Sequence, residues 1–260
     1  MAVDISIIVT GHGEGVFAAP GLRSAAAARR RAESAGLTVE TICVLDRATT
    51  ATIEQFHAGA GPEAKIVTSD HGDPGLARNT AVAAAAGDWI AFLDADDLWS
   101  ESWLTDAFAA ARDYGRDAVW HPETNIFFGE HNVVSFQHDM EEHGFDLAIL
   151  ALDNCWTALC FAPRRVLVAV PYAATDLPQA RGYEDWSWNV AVVAHGLLHK
   201  VVRGAVHAIR TKRHSRNADA EAANCLPEFS GFFQSLLQAR AAASMLPQAS
   251  ANHRPDMAGK

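Results

Sequence analysis

Three carboxylates fall within four positions at the end of an apolar segment. Residues 89–93 are apolar, and Asp94, Asp96 and Asp97 follow them directly. Two carboxylates about 4 Å apart repel each other by roughly 4 kcal/mol at an effective dielectric constant of about 20. A divalent cation offsets such repulsion, and hard, oxygen-rich sites favour Mg²⁺ or Mn²⁺. The residues therefore indicate a cation site, and the alternative is a solvated acidic turn that helps to cap the next helix.

The first 120 residues, which contain this segment, alternate between strand and helix patterns. Apolar and β-branched runs predict strands at residues 5–10, 38–46, 64–69 and 89–93, and a further strand from residue 117. Helix patterns lie between them, at residues 20–36, 50–57, 74–87 and 101–115. Ser100 is the predicted cap of the last of these helices. Such alternation predicts an α/β fold with a doubly wound, mostly parallel sheet.

The carboxyl ends of the predicted strands carry polar side chains. In doubly wound sheets, ligands bind in a crevice outside these ends. Polar clusters fall there at residues 10–14, at Asp46, at residues 69–73 and at residues 94–97. We therefore expect these clusters to converge on one site.

Beyond residue 121 the alternation weakens. The patterns predict a hairpin that turns at residues 129–132, helical segments at 146–153 and 184–196, and strands near 198–211. Residues 219–245 are rich in alanine and predict a helix, and the polar tail after them is expected to fray.

The composition narrows the classes of function. The formal net charge of -10 argues against a general nucleic-acid-binding protein, which needs a basic face. The four cysteines form no CxxC pair, so free thiols in a reducing compartment are expected. No segment approaches the roughly 18 apolar residues of a membrane span, and residues 1–10 lack the features of a signal peptide. We expect a cytoplasmic protein without a membrane span.

Four motifs, in order within residues 3–215, resemble those of GT-A fold, family 2 glycosyltransferases of the bacterial, non-processive type. They read ISIIVTGHGEG, VETICVLDRAT, GLARNTAVAAAAGDWIAFLDADDLW and GYEDWSWNVAVVAHG. The resemblance implies the GT-A (nucleotide-diphospho-sugar transferase) fold. It also implies a metal-dependent, inverting transfer of a sugar from a nucleoside diphosphate sugar to a hydroxyl acceptor, in polysaccharide or glycan biosynthesis.

The resemblance also divides the chain. We expect a nucleotide-sugar-binding half at residues 1–120 and an acceptor-binding, catalytic half of the same domain at residues 121–218. A C-terminal helix and frayed tail are expected at residues 219–260.

By the same resemblance, the donor lies at the strand ends. Arg78 is expected to bind the donor phosphates or to anchor the acidic loop, and Asp73 to bind the donor or only to cap its helix. Family members often carry a second acid where this chain has Arg47, so the nucleobase contact is left open, and His12 is expected to stack on or hydrogen-bond to the base. The expected donor-binding residues are Thr10, His12, Glu14, Asp46, Asp73, Arg78, Asp94, Ala95 and Asp96.

The resemblance makes Asp96 the first candidate ligand of Mn²⁺ or Mg²⁺, and Asp94 shares the cation or lies closer to the ribose. Asp97 is expected to hold the loop through backbone hydrogen bonds. His214 is expected to ligate the metal, or to close over the diphosphate together with the neighbouring arginines. The alternative for His214 is a solvated basic loop.

The motif at the start of the 184–196 helix supplies the implied general base, Asp185. A positioned carboxylate that takes a proton from an attacking hydroxyl contributes about 10²–10⁴-fold to a rate. Glu184 is the substitute base or a ligand of acceptor hydroxyls. The alternative is that both acids only complement the helix dipole.

The acceptor is expected to contact Asn154, Trp156 and Trp186, and for the first two the alternative is core packing. Two other functions stay open. One is a nucleotidyltransferase, which usually opens with a basic, glycine-rich phosphate loop, whereas GHGEG at residues 11–15 has no lysine or arginine. The other is a non-catalytic module that binds nucleotide sugars.

Overall fold

The computed structural model describes residues 2–213, 215–229, 231, 232, 234, 236 and 238. Residues Met1–Glu228 form one compact unit, and a second unit begins at Phe229. Most of the C-terminal helix and tail predicted at residues 219–260 falls outside the described residues.

The described chain contains nine strands and seven α-helices, and the bounds are as follows. The strands are β1 Val3–Gly11, β2 Val39–Asp46, β3 Lys65–Ser69, β4 Gly87–Asp94, β5 Leu98–Trp99, β6 Ala118–Gly129, β7 Val133–Phe136, β8 Phe161–Pro163 and β9 Leu198–Thr211. The helices are α1 Ala18–Ser34, α2 Thr50–Gly59, α3 Pro74–Ala84, α4 Trp103–Tyr114, α5 Arg164–Ala169, α6 Glu184–Ala194 and α7 Arg216–Ala222.

All described strands belong to one sheet, in the order β3-β2-β1-β4-β8-β6-β9-β5, with β7 paired to β6. The first four strands are parallel, as the alternating sequence pattern predicts. In the second half, β8 is antiparallel to both β4 and β6, while β6 and β9 are long parallel partners. The parallel half brings the carboxyl ends of β1, β2 and β4 to one edge.

Two apolar cores cover the two faces of the sheet. One core packs side chains of α1 and α4 on the sheet, and it includes Leu22, Trp103 and Leu104. The other packs α3, α5 and α6 on the opposite face, and it includes Val82, Leu167 and Trp188. Helices on both faces are the doubly wound arrangement, so the central strands can be apolar throughout.

The structure differs from the predicted elements in four places. The helix predicted at residues 219–245 is interrupted, because α7 ends at Ala222 and residues 223–229 are not helical. The helix after the acidic loop begins at Trp103 with Ser102 at its N-cap, so Ser100 is not its cap; Ser100 instead bonds to β9 through Val206. Residues 146–153 contain a short 3₁₀ turn, Leu147–Ala151. The strands predicted near 198–211 form the single strand β9.

Among the described helices, no segment combines the length and the hydropathy that crossing a membrane requires.

Candidate active site

A cavity of about 490 Å³ opens at the carboxyl ends of the parallel strands. Its volume lies within the range of about 300–1,000 Å³ that is usual for small-molecule sites. The start of α6 and the end of β9 complete its wall. The predicted residues that line it are Thr10, His12, Glu14, Asp46, Asp73, Arg78, Asp94, Asp96, Glu184 and Asp185.

Arg78 connects the two acidic motifs across this cavity. Its guanidinium is 2% exposed, and Nη2 donates to both oxygens of Asp94, at 2.9 and 3.2 Å, while Nη1 donates to Glu184 at 3.0 Å. The hydroxyl of Thr10 donates to the same Asp94 at 2.6 Å. Burial raises the pKa of Asp94, but the charge of Arg78 and the two hydrogen bonds outweigh it, so the pKa is lowered. Of the two roles expected for Arg78, this geometry favours the anchor of the acidic loop.

The other two acids of the loop after β4 contact the end of β9. Asp96 Oδ2 accepts from Arg210 Nη1 at 3.0 Å and from Lys212 Nζ at 2.9 Å. Asp97 accepts from the backbone N–H of Arg210 at 2.7 Å, in line with the loop-holding role expected for it. Burial and the charge of Asp94 raise the pKa of Asp97 well above its usual range. The loop is therefore held by residues more than one hundred positions away in the sequence.

Asp185 lies at the start of α6, and one of its two carboxylate oxygens accepts a hydrogen bond. Its Oδ1 accepts from the backbone N–H of Trp186 at 2.8 Å, and Oδ2 has no hydrogen-bond partner among the described residues. Tyr183, just before α6, has a φ of 56°, a left-handed conformation that is costly for a bulky side chain. Burial, followed by the charge of Glu184, raises the pKa of Asp185 to about 7. A carboxyl with this pKa can accept a proton near neutral pH.

Glu184 differs from Asp185 although the two are neighbours. It is buried and its carboxylate pairs with Arg78. Because that ion pair occupies one of its oxygens and directs the carboxylate towards Arg78, Glu184 is the weaker candidate for the base.

The far end of the cavity is built from the loops after β1, β2 and β3. Asp46 Oδ1 accepts from the hydroxyl of Ser69 and the N–H of His71, both at 2.8 Å, and Oδ2 accepts from the N–H of Asp73 at 3.1 Å. Burial raises the pKa of Asp46, but these donors outweigh it and lower the pKa. Asp46 therefore organises the neighbouring loop, as well as facing the cavity.

The first loop is also fixed by hydrogen bonds. His12 Nδ1 lies 2.6 Å from the carbonyl of Asp46, and the N–H of His12 donates to Glu14 at 2.7 Å. Arg47 is turned outward, where Nε donates to Asp70 at 2.6 Å. His12 thus stands between β1 and β2 at the end where the base is expected.

Asp73 caps α3, since its Oδ1 accepts from the N–H of Leu76 at 2.9 Å. Its Oδ2 accepts from the N–H and the hydroxyl of Thr175, at 2.9 and 2.6 Å. Arg216 in turn donates to that hydroxyl at 2.7 Å. The capping role expected for Asp73 is present, and it also connects α3 to the start of α7.

The carboxylates at the cavity fit one cation. Within the described residues, no group of three or more His, Cys, Asp or Glu side chains could by itself hold a metal ion. Mg²⁺, however, is usually held by one or two carboxylates together with substrate phosphates and water. Asp96 meets this requirement, because its Oδ1 has no hydrogen-bond partner in the described chain and can bind a cation. Its Oδ2 already accepts from two cationic groups.

Several expected site residues lie elsewhere. Trp156 is 1% exposed, its ring stacks on His199 with a centroid distance of 4.0 Å, and Nε1 donates to a backbone carbonyl. This geometry matches the core-packing alternative and contradicts the expected contact with the acceptor. Asn154 accepts from Asn189 at 2.9 Å, and Trp186 donates to the carbonyl of Leu150 at 2.9 Å. Neither is among the residues that line the cavity.

Ala95 and His214 complete the comparison with the expected site. Ala95 is buried and donates its N–H to the carbonyl of Thr10, so it sets the loop between Asp94 and Asp96. His214 lies outside the described residues.

Arg210 and Lys212 are functional candidates that the sequence analysis missed. Both line the cavity, and the i, i+2 spacing at the end of β9 places them on the same side of the chain. That alternation within the basic segment 210–216 was the available signal. The alternation does not show which acid Arg210 and Lys212 contact.

Three comparisons bear on this site. The family model described as "Glycosyl transferase family 2" matches residues 6–158, more than half of the chain. The "Succinoglycan biosynthesis protein ExoW" of Rhizobium meliloti (strain 1021) is 35% identical over 57 residues, which are 21% of this chain and 18% of that protein.

Structures of S. aureus TarS are similar in fold. One has a TM-score of 0.59 at 16% identity, over 91% of this chain and 42% of that chain. TarS 1-349 in complex with UDP-GlcNAc has a TM-score of 0.62 at 16% identity, over 91% of this chain and 71% of that chain. The similarity confirms the predicted GT-A fold class. The chain spans less than half of the longer TarS chain and about a fifth of ExoW.

Proposed function

Since the chain belongs to glycosyl transferase family 2, we propose that it transfers a sugar from a nucleoside diphosphate sugar to a hydroxyl group of an acceptor, with a divalent metal and with inversion at the anomeric carbon. One observation carries the proposal. A carboxyl with a pKa of about 7, Asp185, faces the same cavity as the acidic loop after β4, and Arg78 joins the two motifs. The UDP-GlcNAc complex of TarS supports a nucleotide sugar as the donor.

Asp185 acts as the general base in this reaction. Its free Oδ2 takes the proton of the acceptor hydroxyl while the hydroxyl oxygen attacks the anomeric carbon from the side opposite the diphosphate. The bond from that carbon to the diphosphate oxygen breaks in the same displacement. A basic group with a pKa near the working pH suits this step, and a purely binding module has no need of it.

The leaving diphosphate is placed at the acidic loop and the end of β9. Asp96, assisted by Asp94, would hold Mn²⁺ or Mg²⁺, which supplies Lewis-acid stabilisation of the charge on the leaving oxygen. Arg210 and Lys212 add positive charge at the same place. Thr10 and Arg78 keep Asp94 in position.

The first experiment is a thermal-shift screen of nucleoside diphosphates and their sugars, with and without Mn²⁺. A ligand at 100 times its dissociation constant stabilises the folded state by about 2.7 kcal/mol, which shifts the melting temperature measurably. The donor that it identifies is then incubated with enzyme and Mn²⁺, and release of the sugar to water is measured. Absence of any stabilising nucleotide and of any hydrolysis would reject the proposal.

Variants assign the roles. Asp96→Ala and excess EDTA should each abolish turnover while the protein stays folded. Asp185→Asn should bind the donor normally and turn over about 10²–10⁴-fold more slowly. Asp113→Asn, an exposed acid on α4, is the matched control and should behave as the wild type. Full activity in EDTA, or an unchanged rate for Asp185→Asn, would remove the metal or the base from the mechanism.

A further inference from the structure

The ammonium of Lys212 lies at the acidic loop after β4. It donates to Asp96 at 2.9 Å and also interacts electrostatically with Glu14 and Asp94. The ammonium thus lies near three carboxylates, two of which also pair with Arg210 and Arg78.

Arg210, the other partner of Asp96, is more firmly held. Its guanidinium carbon lies 3.7 Å from the centroid of the Phe17 ring, and its backbone N–H donates to Asp97 at 2.7 Å. Among the described residues Lys212 has no contact of this kind: its one ion pair there is with Asp96, and its side chain is 36% exposed. A lysine side chain has a flexible stem and no planar fork to align, so Lys212 can leave Asp96 without disturbing β9.

We propose that Lys212 is an internal counter-ion, which neutralises Asp96 of the free protein through Oδ2 and is driven off Asp96 by charge repulsion when the metal binds at Oδ1 with the donor. The proposal rests on the proposed function, since it takes the metal to bind at Asp96. The displaced ammonium remains close to the cavity, where the donor diphosphate is the only anion of the reaction that can pair with it.

This exchange makes metal and diphosphate bind cooperatively. The metal alone must displace Lys212 from the carboxylate to which it is hydrogen-bonded, which weakens binding. A diphosphate that arrives with the metal pairs with the ammonium and removes that penalty. By linkage, each ligand then raises the affinity of the other by the same factor.

The test measures Mn²⁺ binding from the electron paramagnetic resonance signal of free Mn²⁺, in the absence and presence of UDP. Lys212→Met keeps the length and the apolar stem and removes the charge. We expect Mn²⁺ alone to bind Lys212→Met at least about tenfold more tightly than the wild type, and the gain in affinity caused by UDP to shrink by a similar factor. Lys212→Arg should keep the weak binding of Mn²⁺ alone.

Two controls separate the outcomes. Lys65→Met, on exposed β3, removes a charge far from the acidic loop and should bind Mn²⁺ as the wild type does. Asp96→Asn should lose Mn²⁺ binding in either background. Equal Mn²⁺ affinity in the wild type and Lys212→Met, with binding lost in Asp96→Asn, would overturn the counter-ion role alone. Mn²⁺ binding that does not depend on Asp96 would overturn the metal site and this inference with it.

Discussion

Replacing Arg78 by methionine would leave two carboxylates facing each other without their cation. Methionine keeps most of the apolar stem, so the change removes the guanidinium and little packing. Glu184 is buried and Asp94 is partly open to the cavity, with side chains 8% and 37% exposed. Neither carboxylate has another charged side chain within ion-pair distance among the described residues.

The expected loss of stability follows from burial. Removing one partner of a buried ion pair costs about 3–5 kcal/mol, because the other charge is left uncompensated. The partial exposure of Asp94 places Arg78→Met at the lower end of this range. Arg203→Met is the matched control, since Arg203 also pairs with two carboxylates, Glu123 and Glu142, but at the surface. Its loss should be much smaller, because exposed ion pairs contribute little.

The loss of stability in Arg78→Met should depend on pH, and the ion pairs of Arg78 determine whether it is larger at high or at low pH. In the wild type the pKa of Asp94 is lowered, so its contribution is present above the pKa of the unfolded chain and is lost as the pH falls. In Arg78→Met the two carboxyl groups lack the cation, and we expect them to bind protons more tightly when folded. The variant should therefore be destabilised most near pH 8 and least near pH 5.

Urea unfolding at pH 8 and pH 5 measures both effects, with circular dichroism as the signal. A loss for Arg78→Met no greater than that for Arg203→Met would contradict the reasoning. So would a loss that is the same at both pH values. Because Arg78 also holds the acidic loop, we expect the folded fraction of Arg78→Met to turn over slowly.

Three further predictions concern other parts of the chain. The rate of the wild type should rise with pH through about 7, because the pKa of Asp185 is about 7 and the base must be deprotonated; a profile flat between pH 6 and 8 would contradict this. Burial lowers the pKa of His199 and His207 to about 3. The unfolded chain therefore binds protons that the folded chain does not, and each histidine should cost about 2 kcal/mol of stability between pH 6.5 and pH 5. Urea midpoints measure this loss, and His207→Phe should reduce it. Gly21→Ala should lower stability and turnover, because the added methyl would overlap a carbonyl oxygen of the acidic loop, whereas Gly13→Ala meets open space and should change neither in unfolding and rate assays.

The parallel half of the fold could be predicted because its signals are local. Each strand there is a short apolar run, and each helix has a start or stop residue of its own, such as Pro74 at the beginning of α3. The position of the polar clusters then follows from topology alone, since parallel strands present their carboxyl ends at one edge. This argument predicts Asp94 and Asp96 at one cavity, and the resemblance to the family adds Asp185; their roles remain predictions.

The second half depends on contacts between distant segments. The partners Arg210 and Lys212 lie 114 and 116 residues after Asp96, and the antiparallel pairing of β5 with β9 decides that they meet it. Trp156 is a second residue whose spatial neighbours the sequence alone does not show. An aromatic residue that stacks on a sugar and one that stacks on a buried histidine look alike in a sequence, and only burial tells them apart.

The electrostatic repulsion among the three acids after β4 is reduced in a different way at each acid. Asp94 pairs with Arg78, and Asp96 pairs with Arg210 at the end of β9 and with Lys212 just after it. Burial and the charge of Asp94 raise the pKa of Asp97 well above its usual range, which opposes a third negative charge in the loop. The loop is thus close to electrically balanced before any ligand binds. A metal ion alone upsets this balance and a metal ion with a diphosphate restores it, and for that reason the free protein should bind the two together more readily than either one.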